Sequence, residues 1–137
     1  MDLLNRYYEE MWNPWQFDLA HELLTDDFRF RGSFGVEIVG PEAFKHYMRL
    51  VQSAFPDFHN RVDRSISTPR QVVAQLTYSG THQGEFLGIP GTGRRVTYPG
   101  IAIFDRRDQR FAAGYVVGDR AALMEAILGP RFWVVQS

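Results

Sequence analysis

The chain has 137 residues, with 15 Lys and Arg against 16 Asp and Glu and a formal net charge of −1. A length of this order suits a single domain spanning 1–137, and the near-zero charge leaves no basic stripe for nucleic-acid phosphates. The lack of cysteine excludes disulfides, thiolate metal sites and a cysteine nucleophile, and it fits a reducing cytoplasm.

The opening segment, MDLLNRYYEEMW, sets Leu4, Tyr7, Tyr8, Met11 and Trp12 on one helical face, with Arg6, Glu9 and Glu10 opposite. Asp2 is placed to cap this helix and Asn13-Pro14 ends it. Its acids, and the absence of a basic start before an apolar run, do not read as a signal peptide. No stretch approaches the ~20 apolar residues that cross a bilayer, so a membrane is not an expected partner. A second short helix, Phe17 to Leu24, buries Phe17, Ala20, Leu23 and Leu24. The third starts at Gly40-Pro41 and presents Phe44, Tyr47, Met48, Val51, Ala54 and Phe55 before Pro56 stops it.

From there the period changes to two. Four strands are predicted: His59 to Ser67, Val72 to Thr81, Arg95 to Phe104 and Phe111 to Gly118. The short polar link Asp105 to Arg110 makes the last two an antiparallel hairpin. The link His82 to Arg94 is longer and rich in Gly, Pro and Thr, an ordered loop at one sheet end. Asp119 caps a final helix carrying Leu123, Met124, Ile127 and Leu128, closed by Gly129-Pro130. The tail, with Phe132, Trp133 and Val134, is apolar enough to require a partner surface. Helices first and strands afterwards give an α+β fold with a mostly antiparallel sheet. Gly80, Pro99-Gly100, Gly114 and Gly118 interrupt the strands and point to bulges or bends. A sheet curved into a cone, with helices closing its concave side, follows. The 11 Phe, 6 Tyr and 3 Trp serve as core and as rigid walls for a ring-shaped ligand.

The segment from Thr81, THQGEFLGIPGTGRRV, closely resembles the signature of SnoaL-like polyketide cyclases, a T-H-x-G segment leading into a G-I-P-x-T-G-R loop and a strand. YYEEMWN with LAHELLTDDF is similar to the opening helices of that family, FPDF to its helix-to-strand junction, and Asp119 with LMEAILG to its closing helix. The resemblance implies the cone-shaped α+β barrel shared with nuclear transport factor 2 and the ketosteroid isomerases. It also implies homodimers through the outer sheet face, action without metal or organic cofactor, and aldol ring closure of an aromatic polyketide by a carboxylate. This sequence departs from the family at that carboxylate. Aligned on Asp119, the catalytic aspartate position falls on Val116, which transfers no proton. The Arg-x-Asp pair of the epoxide hydrolase relatives falls on Gln75-Leu76-Thr77.

The remaining candidates are two catalytic residues and a ligand pocket. Asp119 matches a family carboxylate, and an aspartate there also reads as an N-cap. His82 matches a family histidine, a residue type suited to acid–base work, or it locks its loop. Tyr8 is a pocket donor, with Tyr7 as the one-residue alternative. Trp12, Tyr98 and Tyr115 are aromatic walls, and Val116 faces inward. Gln75 and Thr77 share one strand face, forming a neutral polar spot if that face is concave and a solvent-facing pair if it is convex. The four histidines lack metal-ligand spacing, so no metal is expected. GIPGTGRR lacks the lysine and helix start of a phosphate loop. The sequence therefore supports a cofactor-independent cyclase or isomerase acting on an apolar, carbonyl-bearing ring. The alternative is a non-catalytic protein that binds a small apolar or aromatic ligand on the same fold.

Overall fold

The computed structural model describes residues 2–129, so the apolar tail with Phe132, Trp133 and Val134 lies outside the described residues. The first helix, α1, has an α-helical start, Leu3–Asn5, and a π-helical body, Arg6–Trp12. Asp2 Oδ1 accepts the backbone N–H of Asn5 at 2.9 Å, the cap expected from the sequence. The wide turn is closed by the N–H of Asn13 donating to Tyr8 O at 2.8 Å, an uncommon i to i+5 spacing. It buries Tyr7, Tyr8, Met11 and Trp12 together.

The second helix, α2, begins as a 3₁₀ turn, Phe17–Leu19, and continues as Ala20–Leu23. Leu24, expected to close it, instead opens a strand. This strand β1, Leu24–Arg31, and its neighbour β2, Glu37–Val39, were not among the predicted strands. Helix α3, Pro41–Ala54, starts after Gly40, whose φ of 90° only glycine holds without strain. Strands β3 (His59–Ser67), β4 (Gln71–Thr81), β5 (Arg95–Arg107) and β6 (Arg110–Gly118) and helix α4 (Arg120–Leu128) follow the expected order.

The fold is α+β. One curved, unclosed sheet runs in the order β2-β1-β6-β5-β4-β3, antiparallel at every seam except the parallel pair β1–β6. Along β4 and β5 the even-numbered residues Ala74, Leu76, Tyr78, Ala102 and Phe104 are buried, packed with Tyr7, Met11, Phe44 and Met48 of the helices. A smaller cluster joins Val96 to Ala54, Phe55, Leu123 and Ile127.

Glycine shapes this sheet differently from the expectation. The β4–β5 ladder is unbroken through Gly80 and Gly100. The register shift on β6 falls between its pairings at Phe111 and Ala113, not at Gly114. Gly100, Gly114 and Gly118 instead leave room for rings. A Cβ on Gly100 would collide with the Tyr78 ring, one on Gly118 would stand 3.1 Å from Tyr98, and one on Gly114 would stand 3.2 Å from Phe30. Among the described residues no helix is long and apolar enough to cross a membrane.

Candidate functional site

Between the concave face of the sheet and the helices lies a hollow of about 90 Å³. The elements that build it each contribute by their own period. Helix α1 supplies Tyr7, Tyr8 and Trp12, and α3 supplies Tyr47 and Val51. The sheet supplies Phe30, Asn60, Tyr78, Tyr98 and Val116. Ser33 and Phe34 come from the β1–β2 turn, Phe86 from the β4–β5 loop, and Leu123 from α4, with Phe55 and Phe58 completing the wall. Phe34 and Phe86 meet edge to face at 5.3 Å, so the two loops touch at one side of the space.

The polar groups here are almost all phenols. Burial pushes the Tyr47 hydroxyl up to about 12. Burial likewise raises Tyr7, Tyr8, Tyr78 and Tyr98, with neighbouring phenols adding to the shift. All five are therefore neutral hydrogen-bond donors at physiological pH. Tyr78, 5% exposed, has a buried hydroxyl with no hydrogen-bond partner. Its ring lies 5.1 Å from that of Tyr98 and stacks on Phe58 at 5.8 Å. A buried hydroxyl left unpaired is an unmet demand for an acceptor. Of the sixteen lining residues none is Asp, Glu, His, Lys or Arg.

The residues singled out from sequence divide sharply. Tyr8, Trp12, Tyr98 and Val116 line the hollow, and Tyr7 stands beside Tyr8, so both members of that ambiguous pair are present. Gln75, Thr77 and Tyr115 do not. The ladder turns the odd-numbered positions of β4 to the convex side, where Arg64 Nε donates to Gln75 Oε1 at 2.6 Å and Thr77 Oγ1 donates to Asp63 Oδ2 at 2.7 Å. Tyr115 is 44% exposed on that same outer side, and its hydroxyl accepts from Arg31 Nη1 at 3.0 Å.

The two catalytic candidates also stand apart from the hollow. Asp119 is exposed, and its Oδ1 accepts the N–H of Ala122 at 2.9 Å, capping α4. His82 is fully buried but absent from the lining. The N–H of Thr92 donates to its Nδ1 at 3.3 Å and Thr92 Oγ1 lies 3.0 Å from the same atom. Because a backbone N–H can only donate, Nδ1 is the acceptor and the proton sits on Nε2, which has no partner. With His82 N–H donating to Arg94 O and Gly93 N–H donating to His82 O, this ring ties the two ends of the loop together.

Sequence reasoning passed over Tyr47, Asn60, Tyr78 and Phe86 as site residues. Tyr47 was visible as part of the α3 stripe, and Tyr78 as the even-numbered neighbour of Thr77 on a strand whose even side carries Val72, Ala74 and Leu76. Nothing in the sequence marks Asn60. Among the described residues no group of three or more His, Asp or Glu is placed to hold a metal ion.

The SnoaL-like polyketide cyclase family model matches residues 2–127. A candidate SnoaL-like polyketide cyclase from Jannaschia sp. CCS1 is 25% identical, superposes with a TM-score of 0.84, and the match covers 91% of this chain and 88% of that one. TsrD from Streptomyces laurentii is also 25% identical, with a TM-score of 0.79 and 91% of both chains covered. A SnoaL-like polyketide cyclase from Agrobacterium tumefaciens shares the fold at 21% identity and a TM-score of 0.76, over 94% of this chain and 99% of that one. No curated protein matches the chain significantly. The element order, the curved sheet and a family match over nearly the whole length agree, and the chain belongs to the SnoaL-like polyketide cyclase family.

Proposed function

We propose that the hollow binds a neutral, carbonyl-bearing ring ligand of polyketide type and holds it through phenol hydrogen bonds. The observation that carries this reading is a lining with five tyrosines and no Asp, Glu, His, Lys or Arg. Such a wall repels ions by desolvation and welcomes flat apolar rings. The Tyr78 hydroxyl is a donor without an acceptor, a demand that a carbonyl oxygen reaching it would meet. Native mass spectrometry of the protein purified from its own host, together with calorimetric titration of simple aryl ketones, tests this. A bound neutral ring compound and measurable ketone affinity are expected; a protein that takes up no ketone refutes the reading.

A second reading, cyclase or isomerase catalysis, is favoured by the family and by the clustering of phenols. Donors gathered around one ketone oxygen stabilise the enolate that forms during aldol closure, and a tight apolar wall fixes the reacting carbons. With Val116 lining the hollow, the proton acceptor would be bound water. The rate of ring closure of a synthetic poly-β-keto ester, with and without protein, decides this reading. Closure no faster than in buffer removes it.

A homodimer is part of the same proposal. Ile101, Ile103, Tyr115 and Val117 are each 40–52% exposed on the outer face, paired across the β5–β6 seam. Such a patch needs cover. Sedimentation showing only monomer would remove it. Action without cofactor, in the cytoplasm, completes the proposal.

A further inference from the structure

We infer that Asn60 presents a hydrogen-bond acceptor to the hollow and selects ring ligands that carry a hydroxyl in addition to a carbonyl, an inference that rests on the ligand-binding reading above. Asn60 sits on the inward side of β3, only 3% exposed, and lines the hollow. Three hydrogen bonds tie it to Asn13. Its backbone N–H donates to Asn13 Oδ1 at 2.9 Å, its Nδ2 donates to the same oxygen at 3.1 Å, and its carbonyl accepts from Asn13 Nδ2 at 3.1 Å.

This geometry fixes which way the Asn60 amide points. A backbone N–H can only donate, so the Asn13 atom it meets is an oxygen. The Asn60 atom that shares that oxygen is then the amide nitrogen. Asn60 Oδ1 occupies the other branch of the amide and holds no hydrogen bond to a described residue. The surrounding phenols offer donors, and Asn60 Oδ1 offers the complementary acceptor. A ligand with a carbonyl alone would satisfy the phenols and bury the amide oxygen unpaired. One that also carries a hydroxyl would satisfy both, and sites built to pair a hydroxyl reject the analogue lacking it.

Calorimetric titration with para-hydroxyacetophenone and para-methylacetophenone, two rings of similar size, tests the inference. The wild-type protein should bind the hydroxy compound at least about tenfold more tightly, a difference of about 1.4 kcal/mol. In Asn60→Ala the ratio should fall close to one while affinity for the methyl compound is kept. Two of the three bonds to Asn13 use only the Asn60 backbone and survive the substitution. Asn60→Val, which restores volume and suits a strand, gives a second reading of the same ratio. Equal wild-type affinities, or a ratio unchanged in the variants, overturn the inference while leaving the ligand-binding reading in place. Failure of the wild-type protein to bind either ketone overturns both.

Discussion

Replacing Tyr78 by phenylalanine should make the empty protein more stable and its ligand complex weaker. The hydroxyl is buried with no partner, and leaving such a group unpaired costs about 1–3 kcal/mol. The substitution removes one oxygen atom and keeps the ring, so the stacking on Phe58 and the fit against Gly100 persist. For a chain of 137 residues, unfolding entropy near the midpoint is roughly 0.29 kcal/mol per kelvin, so each kcal/mol moves Tm by about 3–4 °C. Differential scanning calorimetry of Tyr78→Phe should therefore show a rise of about 3–10 °C. Affinity for an aryl ketone should fall by about fivefold, the loss of one hydrogen bond of about 1 kcal/mol. Opposite signs for the two quantities are what a group held ready for a ligand produces. A Tm lowered by several degrees would refute the reasoning, because it would mean that the hydroxyl is already satisfied in the empty protein.

The remaining predictions concern the walls, the cap and the proton balance. Gly100→Ala drives a methyl into the Tyr78 ring and should destabilise by about 1–3 kcal/mol; an unchanged urea midpoint would count against the close approach. Asp119→Ala should lose about 1 kcal/mol of stability through the missing cap, with ketone affinity unaltered, whereas turnover abolished in a folded variant would return this carboxylate to the chemistry. Stability should fall at alkaline pH. Burial raises Tyr7, Tyr8, Tyr47, Tyr78 and Tyr98 above 10.0 in the folded chain, so above about pH 10 the unfolded chain releases protons that the folded one retains. Stability is thus fully present below about pH 10 and is lost as the pH climbs through the folded values. Thermal melts taken from neutral pH to about 11 should show this decline, and a flat profile would contradict the burial of the phenols.

The parts of the fold carried by local pattern were legible. The three-and-four spacing of Phe44, Tyr47, Met48 and Val51 marked α3, and the alternation from Val72 to Thr81 marked β4 within a residue of its true start. Strand β1 was missed although Phe28-Arg29-Phe30-Arg31 alternates cleanly. Its first half, with Asp26 and Asp27 both exposed, breaks the period, and the ladder to β6 shifts register there. The site was legible only where one period decided it. Val116 and Tyr98 could be placed by alternation, but Gln75 and Thr77 required knowing which face was concave, information that resides in the packing of α1 and α3. Glycine at 80 and 100 carried a signal of special geometry whose meaning at Gly100, room for an aromatic ring, depends on a partner strand. Asn60 was invisible because its role depends on Asn13, 47 positions away.

The parallel seam between β1 and β6 sets a timetable for synthesis. Arg31 and Tyr115 are hydrogen-bonded across 84 positions of sequence, so β1 emerges from the ribosome with its central neighbour still unmade. Until β6 arrives, Phe28 and Phe30 lean on the short β2 hairpin and on Phe44 of helix α3, with one edge of β1 unpaired. Non-local pairing of this kind is slow, and the waiting intermediate exposes aromatic surface and a free strand edge. A ribosome-bound fragment ending before residue 110 should accordingly be a strong client for chaperones that grip aromatic segments, and the finished chain should release them.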